Sequence, residues 1–121
     1  MEKYKANEQI AIQWFDAFNT QSLDELLVLY DEQAKHFSPK LKIKRPATNG
    51  LIEGKKALRE WWADAFKRLP GLHYEVQTIT ANEHRVCMEY IRELPGDEDM
   101  NVTEVLDIEN GKIIYSRVYH G

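Results

Sequence analysis

The sequence predicts an α+β fold in which helices come first and pack on one face of an antiparallel sheet. Two observations carry this prediction. Apolar residues recur at helical spacing in long stretches before residue 70, and from residue 72 onward they recur at every second position. Turn-forming residues separate the later segments, as in an antiparallel meander. No repeat, linker or low-complexity stretch divides the chain, so we expect one domain over residues 1–121.

Three helices are predicted. The first spans residues 3–19, where one stripe is apolar: Ile10, Ala11, Trp14, Phe15 and Phe18. The second begins at Ser22, which has the spacing of a capping box with Glu25, and runs to about Tyr30. The third begins at Gly54 and ends before Pro70-Gly71, with apolar positions at Ala57, Leu58, Trp61, Trp62, Ala65, Phe66 and Leu69.

The strands are predicted mainly in the second half. A short strand over Lys35 to Ser38 ends at Pro39, and residues 40–53 form a long loop because no period is sustained there. Four further strands are expected at about 72–80, 85–94, 101–109 and 112–120.

Composition excludes several classes of function. With 16 basic and 20 acidic residues the chain has a net charge of −4 and no basic face, which argues against nucleic acid or an anionic membrane as partner. The longest apolar run, Leu26 to Tyr30, is far too short to span a bilayer. Cys87 is the only cysteine, so we expect no disulfide within the chain and a cytoplasmic location. Phosphate loops, nucleophile motifs and metal-binding helices are missing, so we expect no cofactor and no metal.

Several short segments, taken in order, resemble a known family. They are Trp14-Phe15-Asp16-Ala17-Phe18-Asn19, Asp24-Glu25-Leu26, Ser38-Pro39, Gly54-Lys55-Lys56-Ala57-Leu58 and Asn110-Gly111-Lys112-Ile113. The sequence resembles the SnoaL-like and ketosteroid-isomerase-like branch of the nuclear transport factor 2-like superfamily over nearly its whole length. The resemblance implies a cystatin-like α+β roll: three helices and a curved antiparallel sheet form a cone with a central pocket, often dimeric through the outer sheet face. Such folds host isomerases, cyclases, hydrolases, dehydratases and plain ligand binders.

The ketosteroid isomerases suggest where a site would lie. The resemblance places their helix-one tyrosine on Trp14, their late-strand acid on Glu104 and their base on Ser38. An indole has no hydroxyl, and a serine is no general base at neutral pH, so that chemistry is not transferred intact. His36 shares a strand face with Ser38 and is therefore our candidate base.

Glu104 is the candidate acid from the residues themselves. Strand alternation groups it with Val102, Leu106 and Ile108, and burial on such an apolar face raises a carboxyl pKa. Its cross-strand neighbour is Tyr90 in one register and Arg92 in another. The first predicts a neutral acid bonded to a phenol, and the second predicts an ion pair.

The last hairpin also leaves two registers open. A two-residue turn at Asn110-Gly111 pairs Glu109 with Lys112 and places Glu104 opposite Arg117. A three-residue loop places Glu104 opposite Ser116 instead, and Ile114, Ser116, Val118 and His120 then face the pocket. The resemblance favours the second register.

The predicted pocket is apolar and flat-sided, and it suits a small planar or polycyclic ligand. Its predicted lining is Trp14, Ser38, Trp61, Met88, Tyr90, Leu106 and Ser116, with Glu104 and His36 as catalytic residues. Two functions follow: a cofactor-independent isomerase, cyclase or dehydratase, or a module that only binds a ligand or dimerises. We also expect a homodimer through an outer sheet face formed by Cys87, Ile91, Val105, Tyr115 and Tyr119.

Overall fold

Helices and strands alternate in the first half of the chain, and four consecutive strands follow. The computed structural model describes residues 2–120. The helices are α1 (Lys3–Asn19), α2 (Leu23–Leu27), α3 (Pro39–Lys44) and α4 (Lys55–Arg68), with a 3-10 turn at Pro46–Thr48. The strands are β1 (Tyr30–Phe37), β2 (Leu51–Glu53), β3 (His73–Ala81), β4 (Arg85–Glu93), β5 (Met100–Glu109) and β6 (Lys112–His120). The predicted α+β class with helices packed on a curved sheet is confirmed.

The six strands form one curved sheet in the order β2-β1-β6-β5-β4-β3. All neighbouring pairs are antiparallel except β1 and β6, which run parallel. The prediction of a wholly antiparallel sheet is therefore wrong at this one junction. A parallel neighbour needs a long crossover connection, and here most of the chain lies between the two strands.

The segment between α1 and α4 differs most from the prediction. Helix α2 ends at Leu27, and the Ser22 side chain makes no capping hydrogen bond. Strand β1 occupies residues 30–37, twice the predicted length, because its charged positions hid the alternation. The predicted loop contains β2 and α3, and the Ser38 side chain caps α3 by accepting from the backbone N–H of Lys40.

The core lies between the helices and the inner face of the sheet. Helix α1 packs against β3 and β4, and α4 packs against β1. Even-numbered residues of β4 and β5 point inward, including Met88 and Leu106, which are fully buried. Odd-numbered residues of the same strands face outward and are half-buried or exposed, among them Cys87 and Val105. None of the helices among residues 2–120 has the length and apolar character to cross a bilayer.

The hairpin registers match neither of the predicted alternatives. Glu104 lies opposite Met88 in β4, while Tyr90 lies opposite Val102. In the last hairpin Glu109 does pair with Lys112, as a two-residue turn requires.

A bulge explains the register of β6. The pairing shifts between Ile108, which faces Ile113, and Asp107, which faces Tyr115. The extra residue is Ile114, so Ile113 points into the core instead of Ile114. Beyond the bulge Ser116 and Val118 face inward as predicted, and Glu104 lies opposite Val118.

Candidate functional site

A cavity of about 240 Å³ extends from the core to the surface between the helices and the inner face of the sheet. Its deep part is lined by buried side chains: His36, Trp61, Trp62, Tyr90 and Glu104. Its outer part is lined by more exposed polar side chains: Lys40, Lys44, Arg68, Asp97 and His120. The cavity therefore combines a dry base with a charged mouth.

Glu104 is the acid at the base of this cavity. It is 2% exposed, and its Oε1 accepts a hydrogen bond of 2.9 Å from the Tyr90 hydroxyl. Its Oε2 is buried and has no partner within residues 2–120. Burial raises the pKa of Glu104 to about 8, so the carboxyl is protonated at neutral pH. Because Oε1 already accepts from Tyr90, the proton belongs on Oε2, where it is free to be donated to a bound molecule.

The Tyr90 side chain reaches Glu104 diagonally, not from the directly opposite position. It comes from two residues further along β4 than Met88, the residue that faces Glu104. A long side chain bridges such a diagonal on one sheet face. We expected the hydrogen bond between Tyr90 and Glu104 only in the register that places the two residues directly opposite each other. It forms instead in the observed register, which was not predicted.

Aromatic rings hold Tyr90 in place. Its ring centroid lies 4.3 Å from that of Tyr74 and 5.4 Å from that of Phe15, the latter in an edge-to-face arrangement. Burial raises the pKa of Tyr90 and, likewise, that of Tyr74. Tyr90 therefore remains an uncharged hydroxyl donor toward Glu104.

His36 ends a chain of buried hydrogen bonds. The Trp14 indole N–H donates to the Tyr30 hydroxyl at 3.1 Å, and Tyr30 donates to Ser116 Oγ at 3.0 Å. Ser116 Oγ lies 2.7 Å from Nδ1 of His36. The direction of this last bond follows the tautomer of His36: with the ring proton on Nε2, Nδ1 accepts from Ser116, and with the proton on Nδ1, it donates to Ser116 Oγ and leaves the Nε2 lone pair free.

Burial sets the charge of His36. The residue is 3% exposed, and desolvation lowers its pKa to about 3. The ring is therefore neutral at physiological pH. A neutral imidazole can hydrogen-bond to a ligand without adding charge to the base of the cavity.

The structure brings together five of the predicted site residues at the cavity surface: His36, Ser38, Trp61, Tyr90 and Glu104. The other four lie in the core and do not line the cavity: Trp14, Met88, Leu106 and Ser116. The hydrogen bonds that end at His36 link Trp14 and Ser116 to the cavity, and the Trp14 ring also packs against the lining residues Phe18 and Tyr74.

Of the lining residues that the predicted pocket did not include, three lie next to the candidate catalytic groups or carry a charge: Trp62, Tyr74 and Arg92. Trp62 lies beside His36, with ring centroids 5.1 Å apart, and Tyr74 lies beside Tyr90. Arg92 lines the cavity as well. Its position could have been found, because it continues the even-numbered inward alternation of β4.

Outside the cavity, one cluster has the residue types of a metal site. The potential ligand atoms of His73, Glu75 and Glu93 lie within 4.8 Å of one another. These side chains are exposed or half-buried, and His73 Nδ1 is hydrogen-bonded to Glu93 at 2.8 Å. Exposed acidic groups commonly lie together without an ion, so these residue types alone do not indicate a metal site.

The sequence profile of the SnoaL-like domain matches residues 11–116. The chain belongs to the SnoaL-like family. The predicted resemblance to the SnoaL-like family is thereby confirmed. No curated protein sequence matches this SnoaL-like chain.

Solved structures share the fold over almost the whole chain. A SnoaL-like protein of unknown function from Burkholderia thailandensis has a TM-score of 0.87 at 22% identity, covering 97% of this chain and 95% of the other. A protein from Kribbella flavida whose name proposes a ketosteroid isomerase has a TM-score of 0.80 at 18% identity, covering 100% and 82%. TerC, crystallised with polyporic acid, has a TM-score of 0.81 at 15% identity, covering 96% and 92%. At these identities the structural similarity shows the SnoaL-like fold alone. The activity has to be inferred from the residues of the site.

Proposed function

We propose that residues 1–121 act as a single SnoaL-like domain that binds a small, largely apolar carbonyl compound and transfers a proton without a cofactor. The reaction class is isomerisation, cyclisation or dehydration through an enol or enolate. One observation carries this proposal: the buried carboxyl of Glu104 lies at the base of the cavity with one oxygen unpartnered among the described residues. Its burial raises the pKa to about 8 and so favours the protonated form at neutral pH.

Glu104 would donate the Oε2 proton to the carbonyl oxygen of the ligand. Negative charge develops on that oxygen when a neighbouring C–H proton leaves, and a preorganised donor in a dry site stabilises it strongly. The Tyr90 hydroxyl would support Glu104 by donating to Oε1, which stabilises any negative charge left on the carboxyl. The rings of Trp61 and Trp62 would hold a planar or polycyclic body beside it.

His36 is proposed as the group that accepts or returns the proton of the ligand. Its ring lines the same cavity and is neutral, as a base must be before it accepts a proton, and with the ring proton on Nδ1, donated to Ser116 Oγ, the Nε2 lone pair is free for that role. Protonation would require the bound enolate to offset the cost of placing a charge in this buried position.

Exchange of carbon-bound protons for deuterium tests the proposal without knowledge of the natural substrate. We would incubate 2-tetralone, a bicyclic ketone, with the protein in D₂O and follow loss of its α-proton signals by NMR. Removal of an oxyanion donor costs about 10²–10³ in rate. We therefore expect Glu104→Leu to slow exchange by about that factor and Glu104→Gln, which keeps a weaker N–H donor, by less.

Glu60→Gln is the matched control, because Glu60 is exposed on α4 and does not line the cavity. It should exchange at the wild-type rate. Equal rates for the wild type, Glu104→Leu and a protein-free sample would overturn the catalytic proposal.

The low pKa of His36 favours a second candidate function. A group with a pKa of about 3 is a weak base, so the SnoaL-like cavity would then bind a ligand without transforming it. Mass spectrometry of a compound recovered unchanged after co-purification would support this function. A third reading, a dimerisation module alone, expects the cavity to be filled by the protein's own side chains, and a cavity of about 240 Å³ argues against that reading.

We further propose a cytoplasmic homodimer that pairs through the outer sheet face. That face carries half-buried apolar side chains on neighbouring strands, including Ile91 and Val105, and Tyr119 is 49% exposed. Burying them in a symmetric contact would remove apolar surface from water. Sedimentation should give twice the chain mass of 14.2 kDa. Val105→Arg should yield the monomer, whereas Val28→Arg, at an exposed site on the helical side, should not.

A further inference from the structure

We propose, resting on the function above, that the ligand is a cyclic carboxylate whose negative charge is bound by Arg92 at the mouth of the cavity. The ring system would lie against the aromatic walls, and a second oxygen of the ligand would face Glu104. The natural ligand would thus be an aromatic or alicyclic acid that also carries the carbonyl group required by the proposed function.

Arg92 is the first observation. It is 9% exposed and lines the cavity, yet within residues 2–120 its guanidinium makes no hydrogen bond. Its nearest carboxylate contact is to Asp97 at 3.8 Å, which is longer than a hydrogen bond, and the Asp97 side chain is 56% exposed. A guanidinium offers five donors, and those of Arg92 keep some exposure at the cavity, because Glu104 Oε2 is the buried side-chain polar atom without a partner among the described residues. A carboxylate in the cavity would supply the missing acceptors in a bidentate pair.

The charge around the mouth is the second observation. Lys40, Lys44 and Arg68 line the same cavity as Arg92, and Asp97 is the acidic residue among the exposed lining. The pKa of His120 is lowered by burial and also by the charges of Lys40 and Arg92. The protein as a whole carries a net charge of −4, so this concentration of positive charge is local to the cavity.

The spacing along β4 is the third observation. Arg92 lies four residues beyond Met88, the residue opposite Glu104, which corresponds to roughly 13 Å along the strand. The side chains of Met88 and Arg92 both point inward, and Tyr90 lies between them on the same face of β4. The cavity therefore has a hydrogen-bond donor at its base, an aromatic wall and a guanidinium further out. A ring compound with a neutral oxygen at one end and a carboxylate at the other complements that order.

A pair of probes that differ only in charge tests the proposal. We would titrate 2-naphthoate and its neutral amide, 2-naphthamide, against the wild type and follow quenching of tryptophan fluorescence, with calorimetry as a second readout. Trp61 and Trp62 line the cavity, so binding there should change the fluorescence. A hydrogen-bonded charge pair favours the carboxylate by about tenfold or more, and this preference should shrink at high salt.

Variants identify the residue responsible. Arg92→Gln should abolish the preference for naphthoate over naphthamide, and Arg92→Lys, which keeps the charge, should retain part of it. Arg59→Gln is the matched control: it changes the net charge equally, but Arg59 is exposed on α4 and pairs with Asp24 outside the cavity. It should keep the preference.

The outcomes separate this inference from the proposed function. Equal affinity for the two probes, or a full preference in Arg92→Gln, would overturn the carboxylate assignment while leaving the cavity as a binding site. No binding of either probe would overturn both the ligand class and the binding function. Deuterium exchange into 2-tetralone that depends on Glu104, with no preference for naphthoate, would leave the catalytic proposal standing and refute this one alone.

Discussion

Replacing Glu104 with glutamine should make the protein relatively more stable as the pH rises. The wild-type carboxyl has a pKa of about 8 in the folded chain because it is buried, against 4.5 when unperturbed. Between these values the folded state holds a proton that the unfolded state has lost. Unfolding therefore becomes easier with rising pH. The stabilisation from this group is complete below about pH 4.5 and is lost by about pH 8.

The size of the effect follows from the same two pKa values. Each pH unit between them corresponds to about 1.4 kcal/mol in the free energy of unfolding. From pH 5 to pH 7 the wild type should lose about 3 kcal/mol from Glu104 alone, which is a large part of a typical domain stability of about 5–15 kcal/mol. The amide introduced by Glu104→Gln does not titrate, so the difference between the variant and the wild type isolates this contribution.

Urea unfolding followed by tryptophan fluorescence measures that difference at each pH. We expect Glu104→Gln to gain about 3 kcal/mol relative to the wild type from pH 5 to pH 7, with equal m values. Glu60→Gln, which removes an exposed carboxylate, controls for the change of surface charge. A difference that is flat with pH would refute a buried neutral Glu104. A difference of opposite sign would mean that Glu104 is ionised and paired with a cation.

Three other substitutions test separate parts of the structure, each by urea unfolding. The wild type should lose about 1.4 kcal/mol of stability per pH unit as the pH falls from 6.5 toward 3, because the pKa of His36 in the folded chain is lowered to about 3. His36→Gln should not show this loss, and parallel wild-type and variant curves would contradict the prediction. Tyr30→Phe should cost about 1–3 kcal/mol, because it leaves the buried Trp14 N–H without its acceptor and Ser116 Oγ without the donor Tyr30, and a cost near zero would contradict the chain of hydrogen bonds. Gly50→Ala should cost about 1–3 kcal/mol more than Gly96→Ala: both glycines have φ near +90°, but only at Gly50 would a Cβ lie 2.7 Å from the Phe37 ring. Equal costs would show that the ring moves aside freely.

Periodic patterns predicted the parts of this fold that periodicity controls. The stripe of Trp14 and Phe18 in α1 and that of Leu58 and Trp61 in α4 are buried, as a helical period requires. The inward position of Glu104 also followed from alternation alone. These features depend on local backbone geometry, which a single sequence contains.

Register and pairing partners depended on features that alternation does not contain. The bulge at Ile114 adds one residue to β6, and the loop of residues 94–99 sets how β4 meets β5. The parallel contact of β1 with β6 joins residues about eighty positions apart. The sequence therefore predicted which side chains face the interior, but not which of them line the cavity. Ser38 lines the cavity, whereas Met88 and Leu106 are buried in the core and do not.

The parallel junction between β1 and β6 has a consequence for the order of folding. His36 in β1 pairs with Ile52 in β2 on one side and with Ser116 in β6 on the other, so the second edge of β1 stays unpaired until the far end of the meander is in place. Closing so long a loop is entropically expensive, and such contacts form late. During synthesis β1 and β2 leave the ribosome long before residues 112–120, which form the strand β6 that pairs with β1. Until then the edge of β1 that β6 will cover is open to pairing with another chain, so a slow or truncated translation of β6 should favour aggregation over a partly active protein.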